Sequence, residues 1–514
     1  MRSSASNLSG RRCLISRFFF VATFLLMVVA DSPFYAQTAK PASPGGGTKT
    51  PQITLVDIIP ESLSGETDND SEPNIAVNPA NPKKIAVSAF TREPMRRPDR
   101  APIFVSNNGG MTWGLRSIVP SPQITCDVTL RFGSTSGVLY VSALRNEKKG
   151  YSNLELIICQ SQDYATTRLM AEVFKNRNYI DQPYIAAMTV GSEDHVFVAD
   201  CDFNYPTNPG PQGTGQAVLD RSLNAPGASF TPVPVEYQPK AIDWEVRSAI
   251  AADGKIVYAA FNRVTDITYQ QCRKYTEPAM MTSEVVVVRD DNGGASTRPF
   301  SSLVDPQGTP GVVAVQQRKL TGTECLGGDR IADDLALAVD PRDPKKVYLV
   351  WSNLVNGRVS LHLQYSTDRG ETWSGSKRDI PDAKNPGLAV NAQGTVGFLY
   401  QQVVNNMWKT QFEQMSDDLQ PTQQPLTLAQ FPIQPPPYQS CCHDIFLGDY
   451  LHLIAVSNDF YGIFSSNNNP DRLHFPSGVK FQRRESGDHK KLLDLQGHDV
   501  TASIDPFFFK VTEQ

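Results

Sequence analysis

Several short runs of small and β-branched residues in this chain are each preceded by polar residues. These are mostly carboxylates and arginines, with one tyrosine. Paired carboxyl groups can transfer protons during glycoside hydrolysis, and a bidentate arginine can bind a sugar carboxylate. The candidate catalytic residues are Asp127, Asp181, Glu245 and Asp444. The candidate substrate-binding residues are Arg247, Arg330, Asp333, His443, Asp449 and Tyr450.

A structural role explains the same residues, because polar side chains also cap strands and line water-filled channels. An arginine beside several acids is more often part of an ion pair than of a binding site. The carboxylates could also hold a calcium ion. We expect no other cofactor and no structural zinc, since no CxxC pair has a matching second pair.

These polar positions belong to a repeated unit. Residues 72–88 reappear in similar form as residues 334–350, and both consist of an apolar strand, an Asn/Asp-Pro turn and a second β-branched strand. Each copy is followed, after a similar gap, by a second shared element at 106–113 and 366–373. Weaker copies of this second element occur at 161–167 and 289–293.

The second element fits the pattern Ser-x-Asp-x-Gly-x-Thr-Trp. An Asp or Asn can accept hydrogen bonds from turn amides, the Gly can adopt positive φ, and the Trp can fill the space between neighbouring sheets. The pattern residues of the first copy are Ser106, Asn108, Gly110, Thr112 and Trp113. Those of the second copy are Ser366, Asp368, Gly370, Thr372 and Trp373. We expect both copies to be structural hairpins.

This pattern is the Asp-box, and from about residue 70 to its end the chain resembles the sialidase-like (BNR-repeat) β-propellers. The resemblance implies an all-β propeller, a ligand site at one mouth of the central channel, a glycan partner and an exo-α-sialidase-like activity. The chain departs from the family at the early Arg-Ile-Pro signature, where residues 72–76 read Glu-Pro-Asn-Ile-Ala. The family's other two arginines and its Tyr/Glu pair are not assigned by motif.

Two functions therefore stay open. The first is a secreted glycoside hydrolase, or a related glycan-active protein, with its site at the channel mouth. The second is a non-catalytic propeller that binds glycan, peptide or a partner protein at the same place.

Seven strand-pair units predict a propeller of seven four-stranded blades, with six as the alternative if one unit is an insertion. The units span residues 72–90, 126–144, 181–199, 245–261, 333–352, 385–402 and 446–465. Two further strands, at 52–59 and 504–511, lie near opposite termini. We expect them to share the final sheet, because this arrangement removes an open sheet edge.

The N-terminus predicts export. Four arginines in the first seventeen residues precede an uncharged stretch, Phe18–Ala30, that is too short to span a bilayer comfortably. We predict a signal peptide at 1–36, a flexible linker at 37–51 and a single propeller domain at 52–514. The mature chain is then secreted or periplasmic, lacks a membrane span and is a monomer.

Charge and cysteine content limit the remaining classes. The formal net charge is -5 and the basic residues are dispersed, so nucleic acid is not an expected partner. Seven cysteines follow Cys13, and export favours disulfides. We expect disulfides to tie long loops across the mouth, with Cys272 and Cys325 flanking one inserted loop. The adjacent Cys441 and Cys442 can bond to each other, pair with distant cysteines or leave one thiol free, and the odd count leaves at least one cysteine unpaired within the chain.

Overall fold

The computed structural model describes residues 52–90, 100–121, 125–146, 154–164, 168–203, 215–227, 229–238, 241–272, 275–321, 325–331, 334–433 and 447–512. The predicted signal peptide at 1–36 and linker at 37–51 lie outside these ranges and stay predictions. Within the described ranges, the structure contains no helix with the length and apolar character needed to cross a membrane.

Seven four-stranded antiparallel sheets form the blades of a β-propeller, which confirms the seven-blade prediction over the six-blade alternative. Strand β1 (Gln52–Asp57) and a 3-10 turn (Glu61–Leu63) come first. Blade 1 contains β2 (Ser71–Val77), β3 (Ile85–Phe90), β4 (Arg100–Ser106) and β5 (Gly114–Pro120). Blade 2 contains β6 (Thr125–Phe132), β7 (Leu139–Asn146), β8 (Leu154–Ser161) and β9 (Ala171–Asn178).

The middle of the chain forms three more blades. Blade 3 contains β10 (Ile180–Val190), β11 (Glu193–Asp202), β12 (Gln216–Ala225) and β13 (Thr231–Pro234). Blade 4 contains β14 (Ile242–Ile250), β15 (Val257–Cys272), β16 (Tyr275–Asp290) and β17 (Val312–Thr321), and a small hairpin, β18 (Cys325–Leu326) and β19 (Asp329–Arg330), follows it. Blade 5 contains β20 (Leu335–Val339), β21 (Val347–Val355), β22 (Arg358–Ser366) and β23 (Arg378–Pro381).

The last two blades differ in how they are completed. Blade 6 contains β24 (Ala383–Val390), β25 (Val396–Val404), β26 (Met407–Met415) and β27 (Leu426–Pro432). The C-terminal part contains β28 (His452–Val456), β29 (Asp459–Asn467), a 3-10 turn (Arg472–His474), β30 (Leu492–Leu493), β31 (Asp499–Val500) and β32 (Ile504–Thr512). Blade 7 has the strand order β28-β29-β32-β1, so strands from both ends of the chain share it, as predicted.

The hydrophobic core lies between adjacent blades. Phe197 of blade 3 and Phe261 of blade 4 belong to one such cluster, and both side chains are fully buried. The closing sheet is as well packed, since Phe507, Phe508 and Phe509 of β32 are also fully buried. Burying an aromatic side chain stabilises a fold by about 2 to 3 kcal/mol, so these interfaces hold the ring of blades together.

The two predicted hairpins join the third and fourth strands of blades 1 and 5, on the face opposite the starts of the inner strands. In blade 5, Asp368 Oδ1 accepts the Thr372 amide at 2.9 Å. In blade 1, Asn108 Oδ1 accepts the Thr112 amide at 3.0 Å, so the Asn makes the same bond as the Asp.

The tryptophan of each hairpin packs toward the preceding blade. Trp113 stands 5.2 Å from Phe508 of blade 7, measured between ring centroids, and Trp373 packs on the cluster between blades 4 and 5. Gly110 has a φ of 88°, and a Cβ there would collide with the Phe508 ring. Glycine is therefore required by both the backbone conformation and the close approach.

The cysteine prediction needs one correction. The segment between Cys272 and Cys325 is not an inserted loop, because it contains β16 and β17, two regular strands of blade 4. The side chains of these two cysteines, and the whole of Cys441 and Cys442, lie outside the described part of the chain. Among the described residues, Cys126, Cys159 and Cys201 are buried free thiols.

Candidate functional site

Five of the seven inner strands carry a bulge at the same point near their first residues. The register shifts lie between Ser71 and Asn74, Cys126 and Thr129, Asp181 and Tyr184, Trp244 and Arg247, and Lys384 and Gly387. Each bulge holds one polar residue at positive φ: Glu72 (54°), Asp127 (46°), Gln182 (50°), Glu245 (48°) and Asn385 (54°). Such strain in non-glycine residues is uncommon and occurs often at functional sites. We call these five residues the bulge ring.

Residues 447–451, here called the mouth segment, connect to the inner strand of blade 7 and are bonded to blades 1 and 6 and to the β18–β19 hairpin. The bonds are Leu447 N to Asp329 Oδ2 (3.1 Å), Lys384 Nζ to Gly448 O (3.0 Å), Asn385 Nδ2 to Gly448 O (3.1 Å) and Asp449 N to Glu72 Oε1 (3.1 Å). Gly448 has a φ of 89° and lies directly against Glu72, where a Cβ would collide. The segment therefore fixes Tyr450 at the mouth.

Tyr450 donates a hydrogen bond from its hydroxyl to Asp127 Oδ1 at 2.9 Å. Burial, followed by the charges of Asp127 and Glu72, holds the pKa of Tyr450 well above its usual range. Burial also raises the pKa of Asp127, against the hydrogen bond from Tyr450 and the charges of Arg330 and Arg247. The phenol is thus protonated at rest and has a carboxyl group beside it that can accept its proton.

Glu72, Asp127 and Asp181 form a set of three interacting carboxyl groups from the inner strands of blades 1 to 3. Burial and the Asp127 charge raise the pKa of Glu72 to about 8. The same two causes raise the pKa of Asp181 to about 7. A carboxyl group with a pKa near neutrality can donate a proton to a leaving group at physiological pH.

The two arginines singled out from the sequence both have carboxylate partners. Arg330 forms a two-pronged ion pair with Asp449, with Arg330 Nε 2.6 Å from Asp449 Oδ1. Arg247 Nη2 lies 3.2 Å from Glu245 Oε1, and its guanidinium lies 4.6 Å from the centre of the Tyr184 ring. Both arginines act on the Asp127 carboxyl electrostatically.

Sequence reasoning missed three residues of this site: Arg131, Tyr184 and His452. Arg131 Nη2 lies 2.5 Å from His452 Nε2, and the Arg131 guanidinium lies 5.4 Å from the centre of the Tyr184 ring. His452 Nδ1 lies 3.1 Å from the Ile75 carbonyl oxygen. Burial, then Arg131 and Arg247, hold the pKa of His452 well below its usual range, so the imidazole is neutral.

Of the four remaining sequence candidates, one makes hydrogen bonds within and between blades, and three lie outside the described residues. Glu245 accepts the Leu335 amide at 2.7 Å, which links blade 4 to blade 5, and it accepts the Asn262 side-chain amide at 3.2 Å within blade 4. Asp333, His443 and Asp444 lie outside the described residues. Within the described ranges, no group of three or more His, Cys, Asp or Glu side chains is arranged to hold a metal ion.

A cavity lies beside this cluster on the channel. Its polar lining includes Tyr184, Glu245, Arg247, Asp334, Tyr450 and His452. The structure thus brings four of the sequence candidates to one cavity: Tyr450, Arg247, Glu245 and Asp449. Three others, Asp127, Asp181 and Arg330, are linked to them through direct bonds or electrostatic interactions.

Structural comparison finds similar solved proteins. An ulvan lyase of a polysaccharide lyase family is 10% identical, with a TM-score of 0.46 over 77% of this chain and 92% of its own. The α-L-arabinanase of Penicillium chrysogenum, complexed with arabinobiose, is 11% identical, with a TM-score of 0.41 over 75% of this chain and 99% of its own. The leech intramolecular trans-sialidase is 12% identical, with a TM-score of 0.35 over 82% of this chain and 67% of its own.

No protein-family model matches the sequence, and no curated protein sequence matches it. Because the sequence identity is so low, these similar structures do not show which activity this chain has.

Proposed function

We propose that this chain is an exported, sialidase-like glycoside hydrolase that cleaves its substrate at the mouth of the central channel. The observation that carries the proposal is the hydrogen bond between Tyr450 and Asp127, 2.9 Å long, beside two further carboxyl groups of raised pKa. A tyrosine with an adjacent carboxylate base is an established nucleophile in glycoside hydrolysis.

In the proposed reaction, Asp127 takes the phenolic proton as Tyr450 Oη attacks the anomeric carbon. The bond from that carbon to the leaving group breaks, and Asp181 donates its proton to the departing oxygen. A water molecule then attacks the glycosyl-tyrosine, losing a proton to Asp181, and Tyr450 recovers its proton from Asp127. The raised pKa of Asp181 suits a group that must act first as acid and then as base.

The arginines support this chemistry in two ways. Arg247 and Arg330 lower the pKa of Asp127 electrostatically, which keeps a buried carboxyl available as a base. Arg247, Arg330 and Asp449 also present polar groups at the mouth that can hold sugar hydroxyls or a sugar carboxylate. Glu245 takes no part in the proposed step, because its Oε1 accepts the Leu335 amide of blade 5 and its Oε2 accepts the Asn262 side-chain amide within blade 4.

A non-catalytic glycan-binding propeller is the second candidate. It is favoured by the ion pairs of Arg330 with Asp449 and of Arg247 with Glu245, since arginines bound in this way are typical of a fixed polar lining. In that case the mouth would bind a sugar without breaking a bond.

Hydrolysis of aryl glycosides separates the two candidates. The mature protein, Tyr450→Phe and Asp127→Asn are incubated with a panel that includes an aryl sialoside, and released phenol is measured. We expect turnover of at least one substrate and a loss of about 100-fold or more in each variant. The control is Asp368→Asn, on the opposite face of the propeller.

Absence of turnover across the panel, or full activity in Tyr450→Phe, would contradict the hydrolase proposal. Glycan binding that survives without turnover would support the second candidate instead.

A further inference from the structure

Blade 4 extends beyond the mouth of the propeller. Its inner strand β14 begins at Ile242, which pairs with Val264, but β15 continues past that pair to Cys272. Strand β16 runs back from Tyr275, and β17 extends alongside it until Thr321 pairs with Met280. At about 3.3 Å per residue, the β15–β16 part of this arm rises about 25 Å above the first residue of β14, and β17 accompanies it for about half of that height.

The base of the arm is a packed structure. Trp244, Met281 and Leu320 form a buried apolar cluster, with Ile267 against it. Phe203 of blade 3 meets Trp244 edge to face, with ring centroids 5.9 Å apart. The base of the arm is thus held in a fixed position beside the mouth.

Two exposed aromatic side chains lie on this side of the molecule. Of the Tyr, Phe and Trp side chains whose burial the structure describes, the exposed ones are Tyr179 and Tyr269, at 48% and 51% exposure. Tyr179 comes two residues before Asp181, and its backbone is held by bonds to Leu154 and Phe203. Tyr269 lies on the projecting part of β15.

We propose that these features form an extended glycan-binding surface and that the natural ligand is a polysaccharide chain. The chain would run from the mouth over Tyr179 and along the arm to Tyr269. A tyrosine ring presents an apolar face to the C–H groups of a sugar and a hydroxyl that can bond to the sugar's edge. This inference rests on the proposed function for the position of the reacting sugar, and the binding surface is independent of whether a bond is cleaved.

Native affinity electrophoresis tests the surface without requiring turnover. The mature protein is run in gels containing arabinan, polygalacturonate, chondroitin sulfate or polysialic acid. We expect retardation by at least one polysaccharide, and an apparent affinity about tenfold lower when Tyr179→Ala and Tyr269→Ala are combined. Met111→Ala, an exposed side chain on the opposite face, is the matched control and should leave the retardation unchanged.

Tyr450→Phe separates this inference from the proposed reaction, because the variant should lose turnover and keep its retardation. Retardation by none of the four polymers, or equal retardation of wild type and the double tyrosine variant, would overturn the inference. Turnover of an aryl glycoside in a protein that no polymer retards would overturn it as well, and would leave the hydrolase proposal standing.

Discussion

At the mouth, the environment decides what each acid can do. Asp127, Asp181 and Glu72 are ordinary carboxylic acids, yet burial raises the pKa of each, and the Asp127 charge further raises the pKa of Asp181 and of Glu72. Asp368, on the opposite face, has its pKa held below the usual range by hydrogen bonds from Thr372 and Ser366, which outweigh partial burial. The same residue type is therefore able to hold a proton near neutral pH at one face, and it accepts turn hydrogen bonds at the other.

The raised pKa of Glu72 predicts a pH-dependent stability. The folded protein keeps a proton on Glu72 that the unfolded chain releases, so the free energy of unfolding falls as pH rises from about 4.5 to about 8. Glu72→Gln keeps an acceptor for the Asp449 amide and removes this titration. We expect thermal melts across that range to show a shallower decline of Tm in Glu72→Gln than in wild type.

Asp181→Asn is the companion variant, because its contribution should end near pH 7, below that of Glu72. Parallel Tm curves for wild type and Glu72→Gln would show that Glu72 does not titrate in this way.

Individual residues also show which parts of the site the sequence predicts and which it does not. The position of polar residues ahead of apolar strands is sufficient to select Asp127, Asp181 and Tyr450 as candidates, and the structure brings these three together. Arg131 was missed because it occupies the small-residue position of its inner strand, equivalent to Ala76 in blade 1. Its contact with His452 joins positions far apart in the chain, and only closure of the ring brings them together.

The outer hairpins of three blades share one hydrogen bond that shapes the turn. The hairpin bond from a glycine amide to the hydroxyl of the first serine occurs in blade 1 at 2.9 Å and in blade 5 at 2.8 Å. In blade 4, Asp290 takes the place of the serine and accepts the Gly294 amide at 2.9 Å. The sequence predicted the hairpins because the hydrogen bonds that shape their turns are local. It did not predict the arm of blade 4, where the strands run on without a turn signal.

The blade 5 hairpin supplies a prediction at this scale. Asp368→Ala removes the acceptor for the Thr372 amide and hydroxyl, and we expect it to lower the free energy of unfolding by about 1 kcal/mol. Asp368→Asn should recover most of that loss, since Asn108 makes the equivalent amide bond in blade 1. Urea unfolding of the three proteins measures the difference, and an Asn variant as unstable as the Ala variant would contradict it.

For the whole molecule, closure of blade 7 is the decisive structural event. The register from Gln52 opposite Thr512 to Asp57 opposite Phe507 joins the first described strand to the last. Arg483 and Asp505 form a fully buried ion pair behind this sheet, with Arg483 also donating to the carbonyl of Ser64. The sequence predicted this closure from two unpaired terminal strands, because a propeller otherwise leaves an exposed edge.

Phe508 tests how much the closing sheet contributes. It is fully buried and contacts Trp113 and Tyr461, so Phe508→Ala leaves a cavity between blades 7 and 1. We expect a loss of about 3 to 5 kcal/mol in the free energy of unfolding, measured in urea. Val355→Ala, an exposed position in blade 5, should change it by less than about 0.5 kcal/mol. Similar losses in the two variants would show that the stability of the closed propeller does not depend on the contacts of Phe508.

The most direct test of the central claim is a crystal structure of Tyr450→Phe soaked with a glycoside that the wild-type protein cleaves. We predict a sugar at the channel mouth, with its anomeric carbon facing the ring at position 450 and its leaving-group oxygen within hydrogen-bonding distance of Asp181. A sugar bound away from the mouth, with Asp127 and Asp181 untouched, would contradict it.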